Sequence, residues 1–428
     1  MTGSVSRDAG RGPAASPTTD VALAEAGRAD TAWREVVGQD LYGANSPDYV
    51  FTKADIGKHA RRRRPLRVAQ VAPLYESVPP RLYGGTERIV SYLTEGLVRR
   101  GHEVTLFASG ESETAADLVV CRDKPLRLDG ELKSEIAAHL AMLCEVRDRA
   151  AEFDVIHVHL SHFLHFPLLE DFASKTLTTP HGRLDYVDLA GTYARWPDFP
   201  MVSISDRQRR PLPDACWLGT VYHGLPLSQY PRPPADRAEG GYLAFLGRVS
   251  RDKRPDRAIE IATRAAMPLK IAAKVDTGDA AYFQEVVEPL MTDDVEFLGE
   301  VDHAAKLRFL SGALALVFPI DWPEPFGLVA IEAMALGIPV IAWREGSMPE
   351  VVDDGVTGYV VDSIEDAVAA VERCRSLDRA RIRQVFEERF SDDRMVADYE
   401  SIYDIMVNGT EEWQQGRRQS TNDISIPR

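Results

Sequence analysis

The sequence predicts an α/β protein of two doubly wound parallel-sheet domains that face each other across a cleft, and three observations carry that expectation. The chain has 428 residues, more than the ~250–300 that one hydrophobic core supports. Short apolar runs alternate with amphipathic stretches, the pattern of strands joined by crossover helices. The rhythm stops once, at residues 225–241, where four prolines and a Gly-Gly pair interrupt it, and then resumes.

Residues 66–72 read as a buried strand, 86–100 as a helix stopped by Gly101, and 103–108 as the next strand. Strands follow at 154–158, 175–179, 201–204 and 220–222, with 131–151 as the longest helix between them. Beyond the break, strands are expected at 242–246, 269–273, 295–298, 315–319, 339–342 and 358–361. Helices are expected at 257–266, 282–290, 304–311, 326–336 and 364–374. The first domain is thus residues 66–230, the linker 231–241 and the second domain 242–390. Ligands of such sheets bind beyond the carboxyl ends of the strands, so the cleft is where chemistry is expected.

Composition narrows the class. With 44% hydrophobic and 27% charged residues the chain is neither disordered, collagen-like nor an integral membrane protein. Fifty Lys and Arg against 66 Asp and Glu leave a net charge of −16, which argues against nucleic acid as a partner. Cys121, Cys144, Cys216 and Cys374 are scattered without a CxxC pair, so neither a disulfide framework nor a zinc site is expected and a cytoplasmic location fits. The N-terminus has no apolar signal segment. The most apolar stretch, 328–343, contains Glu332, Gly337 and Pro339 and reads as a helix followed by a strand. Residues 1–65 are expected to be a flexible extension with one short helix near 21–37, and 411–428 a polar tail. The basic run Lys58 to Arg64 can touch an anionic membrane surface, or is simply a solvated segment.

Four segments can carry chemistry. In 319–335, Pro325 fixes a turn and Gly327 admits close backbone approach, so the amides of Phe326, Gly327 and Leu328 form a helix N-terminus toward the cleft. Glu324 precedes that helix and Glu332 lies inside it; a carboxylate grips two vicinal hydroxyls at once, which suits a sugar and a ribose. The plainer alternative is a helix-capping Glu324 and a solvated Glu332. In 243–255 a strand runs into Gly247-Arg248, and a loop carries Lys253 and Arg254 to a helix starting at Pro255. Cations at that positive helix end call for an anion, such as a diphosphate chelated by Arg248 and Lys253. Surface pairing with Asp252 and Asp256 is the alternative. Gly84-Gly85 before the first helix has the form of a phosphate cradle or of a plain turn. His181 emerges at a strand end, where it can bond a sugar hydroxyl or its own backbone. His157 points to the core, His159 can line the cleft, and with His162 and His165 they show no metal-ligand pattern. DxD, GxGxxG, GxSxG, GxxxxGK[ST] and HExxH motifs are absent.

Together these segments resemble glycosyltransferase family 4, the retaining nucleotide-sugar transferases of the GT-B fold, over residues 66–406. Glu324 and Glu332 match its E-x7-E motif, Gly247-Arg248 and Lys253 its GR-x4-K, Gly84-Gly85 its glycine loop and His181 its cleft histidine. Gly346 to Glu350 and Asp354 to Gly358 resemble its later signature, and residues 391–410 its helix crossing back to the first domain. The resemblance implies that Arg248, Lys253, Gly84 and Gly85 hold the donor diphosphate. It implies that Glu324 and the Phe326–Leu328 amides hold the hexose, Glu332 the ribose, and His181 a sugar hydroxyl. No cofactor or metal is then required beyond a nucleoside-diphosphate sugar, with UDP- or GDP-hexose favoured, and an unspecified hydroxyl acceptor. His223-Gly-Leu-Pro226 departs from the family's Asn-Gly-Ile-Asp. Tyr75, Glu76, Arg81, Tyr83 and Asp185 lie in loops where an acceptor would bind. Competing functions are a disaccharide phosphorylase on the same scaffold, a nucleotide-sugar epimerase or hydrolase, and a silent sugar-binding protein.

Overall fold

The computed structural model describes residues 64–81, 84–131, 133–232 and 240–408. Expectations for 1–63, Tyr83, 233–239 and 409–428 lie outside them. That includes the basic run apart from Arg64, which reaches Asp154 at 3.4 Å.

Among the described residues, β1 (Arg67–Val71), β2 (Glu103–Ser109), β3 (Asp117–Arg122), β4 (Val155–Val158), β5 (Thr176–Thr178), β6 (Met201–Ser203) and β7 (Trp217–Thr220) form one sheet. Its order is β3-β2-β1-β4-β5-β6-β7. A second sheet holds β8 (Leu243–Arg248), β9 (Leu269–Lys274), β10 (Val295–Gly299), β11 (Ala315–Phe318), β12 (Val340–Trp343) and β13 (Gly358–Val361) in the order β10-β9-β8-β11-β12-β13. Every pairing is parallel. Central strands such as β11 and β12 are buried along their whole length, which is why they read as unbroken apolar runs; β4 is equally buried but carries His157.

The main helices are α1 (Gly85–Arg99), α2 (Glu135–Asp148), α3 (Pro255–Arg264), α4 (His303–Ser311), α5 (Leu328–Ala335), α6 (Ile364–Arg373), α7 (Arg379–Arg389) and α8 (Asp392–Asn408). The strand order reverses between β1 and β4 and again between β8 and β11. The loops after these strands therefore open at the two switch points where ligands of such sheets bind.

Several expectations are corrected. The edge strand β3 was not foreseen: it is only partly buried, so its pattern is that of a solvated segment. β7 occupies Trp217–Thr220 rather than 220–222, and it too is half-buried. The 131–151 helix is shorter, because Ser134 caps it by accepting from Ala137 N at 3.2 Å; at 14 residues α2 is exceeded by α1 with 15. The 282–290 helix is a succession of short turns, a π-helical one at Phe283–Val287 and a tight one at Glu288–Leu290. Pro289 lacks an amide proton and crowds the preceding turn, so regular α geometry cannot continue.

α8 returns from the second sheet to the first. Its buried Met395, Val396, Tyr399, Ile402, Tyr403 and Met406 recur at helical spacing. Val396 packs directly on Gly96 of α1. Arg99 reaches Asp392 at 2.7 Å and Arg100 reaches Glu400 at 2.8 Å.

Candidate active site

The loop between β11 and α5 is held from one side. Gly327 takes φ +82° and caps α5, with Met348 and Phe318 filling the space a side chain would need. Gly346, at φ +56°, lies against the backbone of Glu324, where a β-carbon would collide. Ser347 N donates to Glu324 O at 2.9 Å and Ser347 Oγ to Phe326 O at 2.8 Å. The loop conformation is thus set by the Gly346-Ser347 turn.

This presents Glu324 to Lys253. The ammonium pairs with Glu324 Oε2, both side chains are nearly buried at 13% and 11% exposure, and Trp322 Nε1 donates to the same oxygen at 2.9 Å. Lys253 also lies 4.8 Å from the Trp322 ring and 5.2 Å from that of Phe318. Neither Asp252 nor Asp256 is its partner. Arg254 does follow the plainer alternative, held by Asp256 at 2.9 Å and Asp321 at 2.8 Å. Gly247 leads to Arg248 at the carboxyl end of β8; the guanidinium is one-third exposed and 3.6 Å from Asp276.

Glu332 is not a solvated helical glutamate. It is 5% exposed, paired with Lys306 of α4, and accepts from Tyr230 Oη at 2.9 Å. Burial by itself would raise this carboxyl, but the Lys306 charge and hydrogen bond, the nearby Arg88 and the Tyr230 hydroxyl hold it below its ordinary value.

On the first sheet's side, His181 follows β5 with Nε2 3.0 Å from His159 Nδ1. His159 is corrected from a cleft-lining residue to a core one: it is 1% exposed and bonded to Gln70 Oε1 at 2.8 Å. His157 is buried as expected, against Tyr403 Oη at 2.8 Å and Thr179 Oγ1 at 2.7 Å. Burial lowers all of these imidazoles, His181 to about 3. His181 stacks on His223 with centroids 5.2 Å apart, and His223 meets Phe326 edge-on at 4.8 Å.

The two halves meet here. Leu328 Cδ1 approaches within 3.5 Å of the place of a β-carbon on Gly85, while Gly84 packs on Pro80 and Glu76. Arg183 lies 5.8 Å from the Trp322 ring, and Ser205 Oγ donates to Pro325 O at 2.7 Å. Glu350 accepts from Asp206 N at 2.8 Å and Arg207 N at 2.7 Å, and burial raises its carboxyl. The acceptor-loop candidates are engaged: Glu76 with Arg127 at 3.5 Å, Arg81 with Glu111 at 3.3 Å, and Asp185 with Arg183 at 2.6 Å. Arg127 also lies over the Tyr75 ring at 5.4 Å.

Phe326 is thus joined to His181 through His223, the Lys253–Glu324 pair meets Arg183 of the first sheet's side through Trp322, and Glu332 occupies a separate buried pair. Sequence reasoning missed Trp322, Lys306, Tyr230 and Gln70. Gln70 left a signal, a lone amide inside an apolar strand, and Trp322 stands two residues before Glu324; Lys306 and Tyr230 depended on distant chain segments meeting. Among the described residues no group of three or more His, Cys, Asp or Glu is placed to hold a metal ion, and no helix is long and apolar enough to cross a membrane.

Two family models match the chain, one described as Glycosyltransferase Family 4 over residues 83–217 and one as Glycosyl transferases group 1 over 230–387. The chain is 33% identical over 151 residues to N-acetyl-alpha-D-glucosaminyl L-malate synthase of Bacillus anthracis, covering 31% of this chain and 39% of that protein. It is 31% identical over 170 residues to D-inositol 3-phosphate glycosyltransferase of Thermobifida fusca, covering 34% and 38%. These matches span about two fifths of the relatives' own length. A longer one, 27% identical over 334 residues, covers 71% of this chain and 82% of phosphatidyl-myo-inositol mannosyltransferase of Mycolicibacterium smegmatis. The fold is shared with a glycosyltransferase involved in avilamycin A biosynthesis, at 24% identity, TM-score 0.61 and coverage of 81% and 99%. It is shared also with HepE of Anabaena in complex with UDP and glucose, at 16% identity, TM-score 0.60 and coverage of 79% and 99%.

Proposed function

The chain belongs to glycosyltransferase family 4, the group 1 glycosyltransferases, and from that premise we propose that it is a retaining, metal-independent hexosyltransferase. Its donor is a nucleoside-diphosphate hexose, UDP- or GDP-linked, and its acceptor is a hydroxyl compound. The observation that carries the reading is the Lys253–Glu324 pair at the second sheet's switch point, in the loops that follow β11 and β8, the latter strand ending in Arg248.

The pair is an exchangeable one. When a donor enters, Lys253 gives up a carboxylate oxygen for a phosphate oxygen, and Arg248 adds a forked contact to the diphosphate. Glu324 is then free to accept from hexose hydroxyls, and His181 meets a further hydroxyl from the first sheet's side. The acceptor oxygen attacks the anomeric carbon from the face of the departing group and the bond from that carbon to the phosphate oxygen breaks. The acceptor proton passes to a phosphate oxygen of the leaving diphosphate, so no protein nucleophile is needed. Lys253 and Arg248 stabilise the charge that develops on the leaving group. Lys306 and Tyr230 both engage Oε1 of Glu332, and we assign Oε2 to the donor ribose. HepE, crystallised with UDP, supports a nucleotide donor. The scattered cysteines support a cytoplasmic placement.

The test is incubation of the full chain with UDP-, GDP- and ADP-hexoses and a panel of hydroxyl acceptors, with and without EDTA, followed by mass and NMR analysis of the product. Transfer with retained configuration, unaffected by EDTA, is expected. Turnover of sugar 1-phosphate alone would identify a phosphorylase instead, and acceptor-independent release or isomerisation of the sugar would identify a hydrolase or epimerase. Thermal shift with the free diphosphates identifies the base, since a ligand at ~100 Kd adds about 2.7 kcal/mol of stability.

A further inference from the structure

A buried polar chain runs without a break from α8 to His181. Gln70 Nε2 donates to Tyr403 Oη at 3.1 Å, and Tyr403 Oη lies 2.8 Å from His157 Nδ1. On its other side Gln70 Oε1 lies 2.8 Å from His159 Nε2, and His159 Nδ1 lies 3.0 Å from His181 Nε2. Gln70, His157, His159 and Tyr403 are each at most 1% exposed.

The directions of these bonds follow from one another. Burial keeps His157, His159 and His181 neutral at pH 7, each ring with a single N–H. An amide oxygen only accepts, so the His159 proton sits on Nε2 and its Nδ1 is an acceptor. His181 must therefore donate through Nε2, and its Nδ1 carries a lone pair. That nitrogen is enclosed and has no hydrogen-bond partner among the described residues. The reversed amide at Gln70 would invert every bond and leave an enclosed N–H without an acceptor at His181, which is the costlier orphan.

We propose that Gln70 and His159 are positioning residues that hold His181 in its Nε2–H tautomer, so that His181 accepts a hydrogen bond from a donor-sugar hydroxyl through Nδ1. The inference rests on the reading that His181 faces the hexose. It adds that this contact is an acceptor rather than a donor, and that its direction is relayed through the Gln70 amide, whose Nε2 is tied to Tyr403 on the returning helix α8.

The tautomer can be read without any donor. Long-range proton–nitrogen spectra of the full chain labelled with nitrogen-15 histidine, at pH 7, assign His181 as the ring whose signals vanish in His181→Asn. Protonated Nε2 and bare Nδ1 are expected. In Gln70→Met the His181 signals should move to an average of both tautomers, with kcat lowered about tenfold, the worth of one misdirected hydrogen bond, and donor KM within about twofold. Tyr403→Phe, which keeps the ring but removes the partner of Gln70 Nε2, should shift the same signals and covers the case in which Gln70→Met fails to fold. A wild-type His181 protonated on Nδ1 or on both nitrogens overturns the proposal, as does a wild-type pattern in either folded variant. The expected spectra in a chain that transfers no sugar from any nucleotide would count against the proposed function and leave the relay standing.

Discussion

Replacing Glu324 by Gln removes the charge from the Lys253 pair while keeping the side chain's size and its acceptor for Trp322 Nε1. The pair lies where water is largely excluded, at 13% and 11% exposure. With an effective dielectric of ~20, opposite charges at contact attract by roughly 5 kcal/mol, and removing one partner of a buried pair costs about 3–5 kcal/mol. Lys253 keeps the Trp322 and Phe318 rings at 4.8 and 5.2 Å, which places the loss near the lower end, about 3 kcal/mol. At ~2 °C per kcal/mol for a chain of this size, Tm should fall by about 6 °C. A free nucleoside diphosphate should then bind the variant more tightly than the wild type, because Lys253 no longer has to leave a carboxylate. The gain is bounded by the same ~3 kcal/mol, roughly 100-fold in Kd. Transfer should nevertheless drop by about 10²–10³-fold, since the carboxylate assigned to the hexose in the proposed function is gone. Differential scanning fluorimetry, calorimetric titration with UDP and GDP, and initial rates measure the three effects. An unchanged Tm with unchanged diphosphate affinity would refute the exchange of Lys253 between carboxylate and phosphate; full transfer activity would refute the role of Glu324.

Three further outcomes are expected. Burial lowers His157, His159 and His223 well below their ordinary 6.5 and His165 and His181 to about 3. The unfolded chain therefore binds more protons below pH ~6.5. Stability is complete above that pH and falls as pH drops toward the folded values, by up to ~1.4 kcal/mol per pH unit for each histidine. Urea unfolding should show a loss of several kcal/mol from pH 6.5 to 5.5, and equal stability at pH 7.5 and 5.5 would contradict it. Gly346→Ala should push the Glu324 backbone aside and lower both Tm and kcat/KM, whereas Gly355→Ala, at φ +73° with open space around it, should cost about 1 kcal/mol of backbone strain and keep transfer. Lys306→Met should destabilise by about 3–5 kcal/mol by leaving the Glu332 carboxylate buried and unbalanced, and adding Glu332→Gln should recover much of it in urea titrations.

What the sequence made legible followed from burial on both faces of a strand. β1, β4, β8, β11 and β12 are largely covered on both sides, so their mostly apolar runs located themselves, with Gln70 and His157 as the polar exceptions. β3 and β7 lie at a sheet edge, where half-solvated side chains erase that signal, and one was missed and the other displaced. The site divides in the same way. Arg248, Lys253 and Glu324 stood out because they lie at a strand end or in the loop after one, and Glu332 because a carboxylate interrupts an apolar helix. Their partners did not, because Lys253 and Glu324 are 71 positions apart and Lys306 and Glu332 are 26 apart on different helices.

Under the proposed function, the pairings also account for how a chain with a net charge of −16 would take up a diphosphate. Lys253, Arg254 and Lys306 are each held by a carboxylate from a distant segment or a neighbouring turn, and Arg248 lies near Asp276. Burying these cations without partners would cost several kcal/mol each. Carboxylate partners remove that cost in the empty cleft and can be exchanged for phosphate at little change in net electrostatic energy. Donor affinity should therefore depend less on the number of cations at the site than on how readily each carboxylate gives way. Arg254, gripped by two carboxylates, should contribute least, and Lys253, whose partner gains sugar hydroxyls in return, should contribute most.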